Sequence, residues 1–315
     1  MIIDMHAHLG DILNPGGGEL IWKTGIRKKI LYDAISHSER MLHICPPFMD
    51  KWLYRVLYSL VTAASGARNA TATLENMQES LDESGVTHTV CLPIPPHLTF
   101  ADLKRARNAE PRILPFTGVD YTSGSDIDAV LRKDVRQGAM GLKLHPIIQR
   151  VPLTDPRTLE AVEAFAVHGL PVLFHCGISS YYPKALRSAR EDASFGEIRY
   201  ARRLAEAFPG VRFIAGHAGL FKYRDVIELL APCPNVMVDT SIHSPGRVGK
   251  LIAAFGPERV LFGSDWPYGN RVPALRILKM ACKGDVSLER LVLYENAASV
   301  LGLDPLLGKM GGGVS

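Results

Sequence analysis

Cysteine is scarce and scattered: the five residues Cys45, Cys91, Cys176, Cys233 and Cys282 form no Cys-x-x-Cys pair. A disulfide scaffold and a cysteine-built metal site are therefore not expected, and the thiols read as reduced, in a cytoplasmic protein. Long apolar runs are lacking too. The most apolar interior stretch, WLYRVLYSLVTAASG at 52–66, carries Arg55 and is too short to span a bilayer, so it reads as an amphipathic helix and no membrane partner is expected. An export signal needs a basic segment followed by an unbroken apolar one, and the N-terminus instead places Asp4, His6 and His8 there. Clustered basic residues interleaved with aromatics are missing at a net charge of only +4, which argues against nucleic acid as a partner. What remains is the composition of a soluble globular protein, 47% apolar and 22% charged.

What the chain does have is histidine where strands end. It opens MIIDMHAHLG, and if residues 2–8 form a strand, His6 and His8 share a face with Cα atoms about 6.6 Å apart. Two imidazoles so placed can converge on one cation at bond lengths of about 2.0–2.1 Å. Alone, the pair is weak evidence, and its value depends on further ligands elsewhere.

Strand-like words recur at 87–94 (THTVCLPI), 112–120 (RILPFTGVD), 138–146 (GAMGLKLHP), 170–177 (LPVLFHCG), 211–219 (VRFIAGHAG), 235–241 (NVMVDTS) and 259–267 (RVLFGSDWP). Segments of helical periodicity separate them. Counting the first, eight strands alternate with helices, which predicts an α/β fold, a (β/α)8 TIM barrel, over a single domain at 1–306. A doubly wound open sheet is the alternative, but no Gly-x-Gly-x-x-Gly turn follows the first strand. Residues 10–70 form a helical insertion after strand one, and 178–195 extend the loop after strand five; both lie where barrel enzymes build lids and specificity walls. Residues 307–315, ending GKMGGGVS, read as a flexible tail.

On this reading His6, His8, Lys143, His145, His175, His217 and Asp265 all stand at the C-terminal ends of strands, the edge that carries barrel active sites. The words DMHAH, GLKLHP, LFHCG, AGHAG and FGSDWP, in this order, resemble the amidohydrolase superfamily, and within it the amidohydrolase-related (amidohydrolase 2) group of metal-dependent hydrolases. The resemblance implies that His6, His8, His175 and Asp265 bind a divalent metal, with Zn²⁺ expected, and that His217 either completes a second metal site or moves protons. An open position on such an ion lowers the pKa of a water toward about 7, and Asp265 is then placed as general base. Asp4, taken to share a strand face with His6, either orients a ligand imidazole or bonds to backbone.

Lys143 divides two site plans. The word GLKLHP resembles that of relatives in which a carboxylated lysine bridges two metals; carboxylated, Lys143 joins His217 in a two-ion site, and otherwise it serves one ion by lowering its pKa or by binding an anionic substrate group. The residues expected to meet substrate are His145, Lys143, His243 and Tyr181, with Tyr182, Arg187 and Arg190 able to recognise an acidic or aromatic group, a solvated helix face being the alternative for the two arginines. His168 reads as a helix cap, Cys176 as a core residue, and His37, His43, His88 and His97 as loop or surface histidines. Trp266 and Tyr268 either wall the pocket or pack beneath it. The expected function is hydrolysis of an amide, ester or lactone bond of a small molecule. A nonoxidative metal-dependent decarboxylase of an aromatic or related acid is the alternative, although such relatives generally lack a lysine like Lys143. A homo-oligomer is left open beside a monomer.

Overall fold

The computed structural model describes residues 1–44 and 49–303. Cys45 and the tail expected at 307–315 lie outside the described residues. Among them, nine short parallel strands form two sheets: β1 (Ile3–Ala7), β2 (His88–Cys91) and β3 (Ile113–Pro115) in one, and β4 (Thr117–Gly118), β5 (Leu142–Leu144), β6 (Val172–His175), β7 (Phe213–Gly216), β8 (Val236–Asp239) and β9 (Val260–Leu261) in the other. The third strand, expected to run unbroken over 112–120, is split at Phe116. Proline has no N–H to give to a ladder, and Pro115, opposite Cys91, is the last residue paired with β2 before Thr117 pairs with Leu142. Phe116 N then donates to Cys91 O (3.0 Å) and Thr117 N to Gly141 O (2.8 Å), which carries the chain from one neighbour to the other without a gap.

The ring closes between β9 and β1. Met5 N donates to Phe262 O (2.9 Å) and Asp265 N to His6 O (2.8 Å). Counting β3 and β4 as one, eight strand positions make the closed (β/α)8 barrel that the alternating pattern predicts. Inside it pack Ile3, Met5, Val90, Leu92, Leu114, Phe116, Leu173, Ile214 and Leu261. Ala297, Ala298, Val300 and Leu301 of the helix Asn296–Leu301 join this cluster and plug the barrel's lower end. A second, larger cluster lies between strands and helices, where Cys176 is buried as expected. The described cysteines Cys91, Cys176, Cys233 and Cys282 are free thiols, all buried.

The register of β1 against β2 shifts between Asp4, opposite Thr89, and Ala7, opposite Cys91, so three residue steps on one strand match two on the other. This bulge inverts the alternation of side chains. Ile3 and Met5 point into the barrel, Asp4 points outward toward Arg271 and Thr89, and His6 follows Met5 back to the inside. The expectation that Asp4 and His6 share a face is therefore corrected. A strict two-residue period cannot foresee a bulge.

The insertion after β1 is helical only in its second half. Beyond the turn Gly17–Trp22, the stretch 10–33 is irregular, and the helices Ala34–Arg40 and Met49–Asn69 follow. Buried Arg68 pins the insertion to the barrel: it pairs with Glu39 and Asp33 and donates to the carbonyls of Pro267 and Tyr268. No helix among the described residues is long and apolar enough to cross a membrane.

At the end of β6, Gly177 has φ +103°, and a Cβ there would stand 2.5 Å from Gly219 O. Backbone cannot yield as a side chain can. Gly177→Ala is expected to cost at least ~2 kcal/mol, read as a lower midpoint in thermal or urea unfolding.

Candidate active site

Strand ends of β1, β5, β6, β7, β8 and β9 bring the polar residues to one place, the upper mouth of the barrel. Asp265 lies at the centre. His6 Nε2 and His8 Nε2 each stand 3.6 Å from Asp265 Oδ1, and His217 Nδ1 stands 3.7 Å from Oδ2. One donor atom each from His6, His217 and Asp265 lies within 4.8 Å of the others. The backbone is strained to achieve this: Asp265 has φ +60° and His217 φ +56°, left-handed values that a side-chain-bearing residue holds only when its surroundings enforce them.

Each ring on β1 is fixed by its other nitrogen. His8 Nδ1 donates to Leu92 O (3.0 Å), and His6 Nδ1 contacts Asp239 Oδ2 (2.8 Å). His6 Nε2 and Asp265 Oδ1 are buried without a hydrogen-bond partner. Burial, with Lys143 and neighbouring imidazoles adding to it, holds His6 and His8 well below the usual histidine range and therefore neutral. Burial pushes the Asp265 carboxyl well above the carboxylate range; Asp239 adds to this and Lys143 opposes it.

His175 is near but otherwise engaged. Its Nε2 donates to Gly177 O (2.9 Å), and Tyr181 Oη lies 3.2 Å from its Nδ1. Its ring stacks on His145 at 4.4 Å and tilts against His217 at 5.2 Å. His145 uses Nδ1 to cap the short helix Pro146–Gln149, accepting from Ile148 N. Lys143 Nζ is buried with no partner, and burial, opposed by Asp265 and Asp239, lowers its pKa to about 7. His243 is buried rather than open at the rim; its Nε2 donates to His217 O (2.6 Å) and so braces that backbone.

Asp239, Ser241 and Arg271 were not among the residues singled out from the sequence. Asp239 ends β8 inside NVMVDTS, and an acid at the end of a buried strand was a signal available there. Arg271 had none, because its helix and Asp4 meet only in the folded barrel. Asp4 accepts from Arg271 Nε (3.0 Å), Ser264 N (2.9 Å) and Ser264 Oγ (2.6 Å), and so holds the loop that carries Asp265.

Beside the mouth, a cavity of about 640 Å³ opens between the insertion helix and the loop after β6. Leu13, Thr62, Tyr181, Tyr182 and Arg187 are among its lining residues. Tyr181 is the wall it shares with the histidine cluster, through its contact with His175. Tyr268 lies edge-on to His8 at 5.9 Å, while Trp266 packs over Arg271 at 5.2 Å.

A barrel whose strand ends gather histidines around one aspartate is matched along nearly its whole length by one family: residues 3–303 fit the family model described as Amidohydrolase. The chain belongs to the amidohydrolase family. No curated protein matches it. Among solved structures it is similar to an uncharacterised TIM-barrel protein from Bordetella bronchiseptica, at 18% identity and TM-score 0.66, covering 96% of this chain and 98% of that one. It is also similar to 5-carboxyvanillate decarboxylase from Novosphingobium aromaticivorans, complexed with manganese and 4-hydroxy-3-methoxy-5-nitrobenzoic acid, at 15% identity and TM-score 0.63 over 96% of each chain. A probable 2-pyrone-4,6-dicarboxylic acid hydrolase from Acinetobacter baumannii is similar at 15% identity and TM-score 0.57, over 96% of this chain and 99% of that one. Hydrolases and decarboxylases thus share this fold.

Proposed function

We propose that the protein is a metal-dependent hydrolase that cleaves an amide, ester or lactone bond of a small molecule. The observation that carries the reading is the pair of neutral imidazole nitrogens, His6 Nε2 and His8 Nε2, each 3.6 Å from the same Asp265 oxygen. Ligands held by one tetrahedral cation at about 2.1 Å stand about 3.4 Å apart, so each imidazole nitrogen stands from the Asp265 oxygen at the spacing of two neighbours in one coordination shell. The buried, unpartnered His6 Nε2 and Asp265 Oδ1 would find their partner there. Imidazoles with one carboxylate suit Zn²⁺. His175, the fourth ligand implied by the resemblance, joins them once one of its nitrogens is released from Gly177 or Tyr181. With Lys143 as a free amine the donors surround one ion; carboxylation of its Nζ would supply oxygens for a second, with His217.

Such a cation supplies Lewis acidity and makes water nucleophilic near neutral pH. The chain's own residues do the rest. Asp265 takes the proton of the attacking water and returns it to the leaving group. Lys143 Nζ, unpaired in the chamber, receives an anionic or developing negative oxygen of the substrate. His145 and His243 lie behind the first ring of side chains. Tyr181 meets the part of the substrate that fills the adjoining cavity, whose size suits a small-molecule ligand.

The decarboxylase among the fold neighbours supports a second reading, loss of CO₂ from an aromatic acid in the same chamber, with Asp265 delivering a proton to carbon. Incubation of Zn²⁺-loaded protein with lactone, ester, amide and aromatic-acid panels in ¹⁸O water separates the two. Label in the product is expected. CO₂ release without label would replace hydrolysis by the lyase reading, and metal analysis of the same sample gives one or two equivalents per chain.

A further inference from the structure

We infer that Asp239 and Ser241, at the end of β8, are positioning residues that fix which nitrogen carries the proton on His6 and on His217. The consequence for cation binding rests on the proposed function; the hydrogen-bond geometry does not. Both residues are fully buried, and β8 itself contributes none of the proposed ligands.

The polarity follows from counting donors. Asp239 Oδ2 accepts from His217 N (3.1 Å) and Oδ1 accepts from Ser241 N (3.0 Å); as a carboxylate Asp239 has no proton of its own, so neither oxygen can donate. The other two contacts then have a forced direction. His6 Nδ1, 2.8 Å from Oδ2, must carry its ring proton, and Ser241 Oγ, 2.5 Å from Oδ1, must donate its hydroxyl proton. Ser241 has no second proton. Its oxygen also lies 2.8 Å from His217 Nδ1, so that nitrogen must be the donor. One carboxylate thus sets two imidazoles, one directly and one through a hydroxyl, and leaves Nε2 as the bare nitrogen of both. His6 Nε2 is the unpartnered atom facing Asp265.

His8 reaches the same tautomer by a separate route, since the Leu92 carbonyl can only accept from its Nδ1. His175 is the contrast: donating from Nε2 to Gly177 O, it leaves Nδ1 to accept from Tyr181. The two rings governed by Asp239 stack on each other at 4.3 Å, so a change at one carboxylate reaches both.

The test uses the full chain stripped of metal. Long-range ¹⁵N spectra of its histidines report tautomers directly, and competition with a chromophoric chelator gives Zn²⁺ affinity without reference to turnover. We expect His6 and His217 in the wild type to be protonated at Nδ1. Asp239→Asn brings an amide donor into the network, and His6 is expected to move its proton to Nε2, with Zn²⁺ affinity falling about 10–100-fold. Ser241→Ala is expected to free His217 alone and to weaken Zn²⁺ binding less. Protonation of either ring at Nε2 in the wild type overturns the inference, as does a folded Asp239→Asn protein with unchanged tautomers and affinity. Should Asp239→Asn not fold, an unchanged His217 tautomer in Ser241→Ala overturns it and a changed one supports it. A wild type with the expected tautomers and no Zn²⁺ affinity would defeat the proposed function and leave the tautomer assignment standing.

Discussion

Asp265→Asn lowers turnover by roughly 10²–10⁴-fold while the metal-free protein stays folded. The amide keeps the shape of the side chain but cannot take up the proton that hydrolysis must remove from water. Stability follows a separate logic. Because burial opposes the charged form of Asp265 in the folded chain, with Asp239 nearby adding to the effect, a neutral isostere removes an unfavourable charge. The thermal midpoint of the metal-free variant should equal or exceed that of the wild type. Rates on a substrate found by the panel, set beside melting curves of both proteins, check the two halves together. Undiminished turnover would remove Asp265 as the base.

Asp4→Ala should cost about 3–5 kcal/mol, because it leaves the Arg271 guanidinium buried without its carboxylate. Both side chains are fully buried, and Arg271 Nε donates to Asp4 Oδ2 at 3.0 Å. The same substitution strips Ser264 N and Oγ of their acceptor, in the residue directly before the strained Asp265 backbone. Stability and activity should therefore fall together. The urea midpoint and the rate measured well below that midpoint are the quantities to compare; a variant as stable as the wild type would show that Arg271 finds other partners.

Much of the fold was legible because buried parallel strands and their helices repeat with a period that apolar residues record plainly. The split at Phe116 was hidden, although Pro115 in the word RILPFTGVD marks the place where a ladder donor is lacking. For the site, histidines and an aspartate at strand ends identified the mouth, and the structure gathers His6, His8, His217 and Asp265 there within a few ångströms. The supporting residues were harder to see. Asp239 required knowing which ring faces β8, and the Asp4–Arg271 pair joins positions 267 residues apart. His175 and His145 show a different limit, since strand-end placement was right while both His175 nitrogens are spent on Tyr181 and Gly177 and His145 Nδ1 on a helix cap. Spacing locates a side chain; its hydrogen bonds decide what it has left to give.

The surplus residue in β1 makes that strand sensitive to length more than to identity. Strict alternation counted from Ile3, with all residues of the strand kept and no irregular step, would turn the imidazoles of His6 and His8 out among the helices, with every amino acid of the reaction still encoded. For anyone grafting this chamber onto another cylinder, the irregular step has to be transplanted along with the histidines.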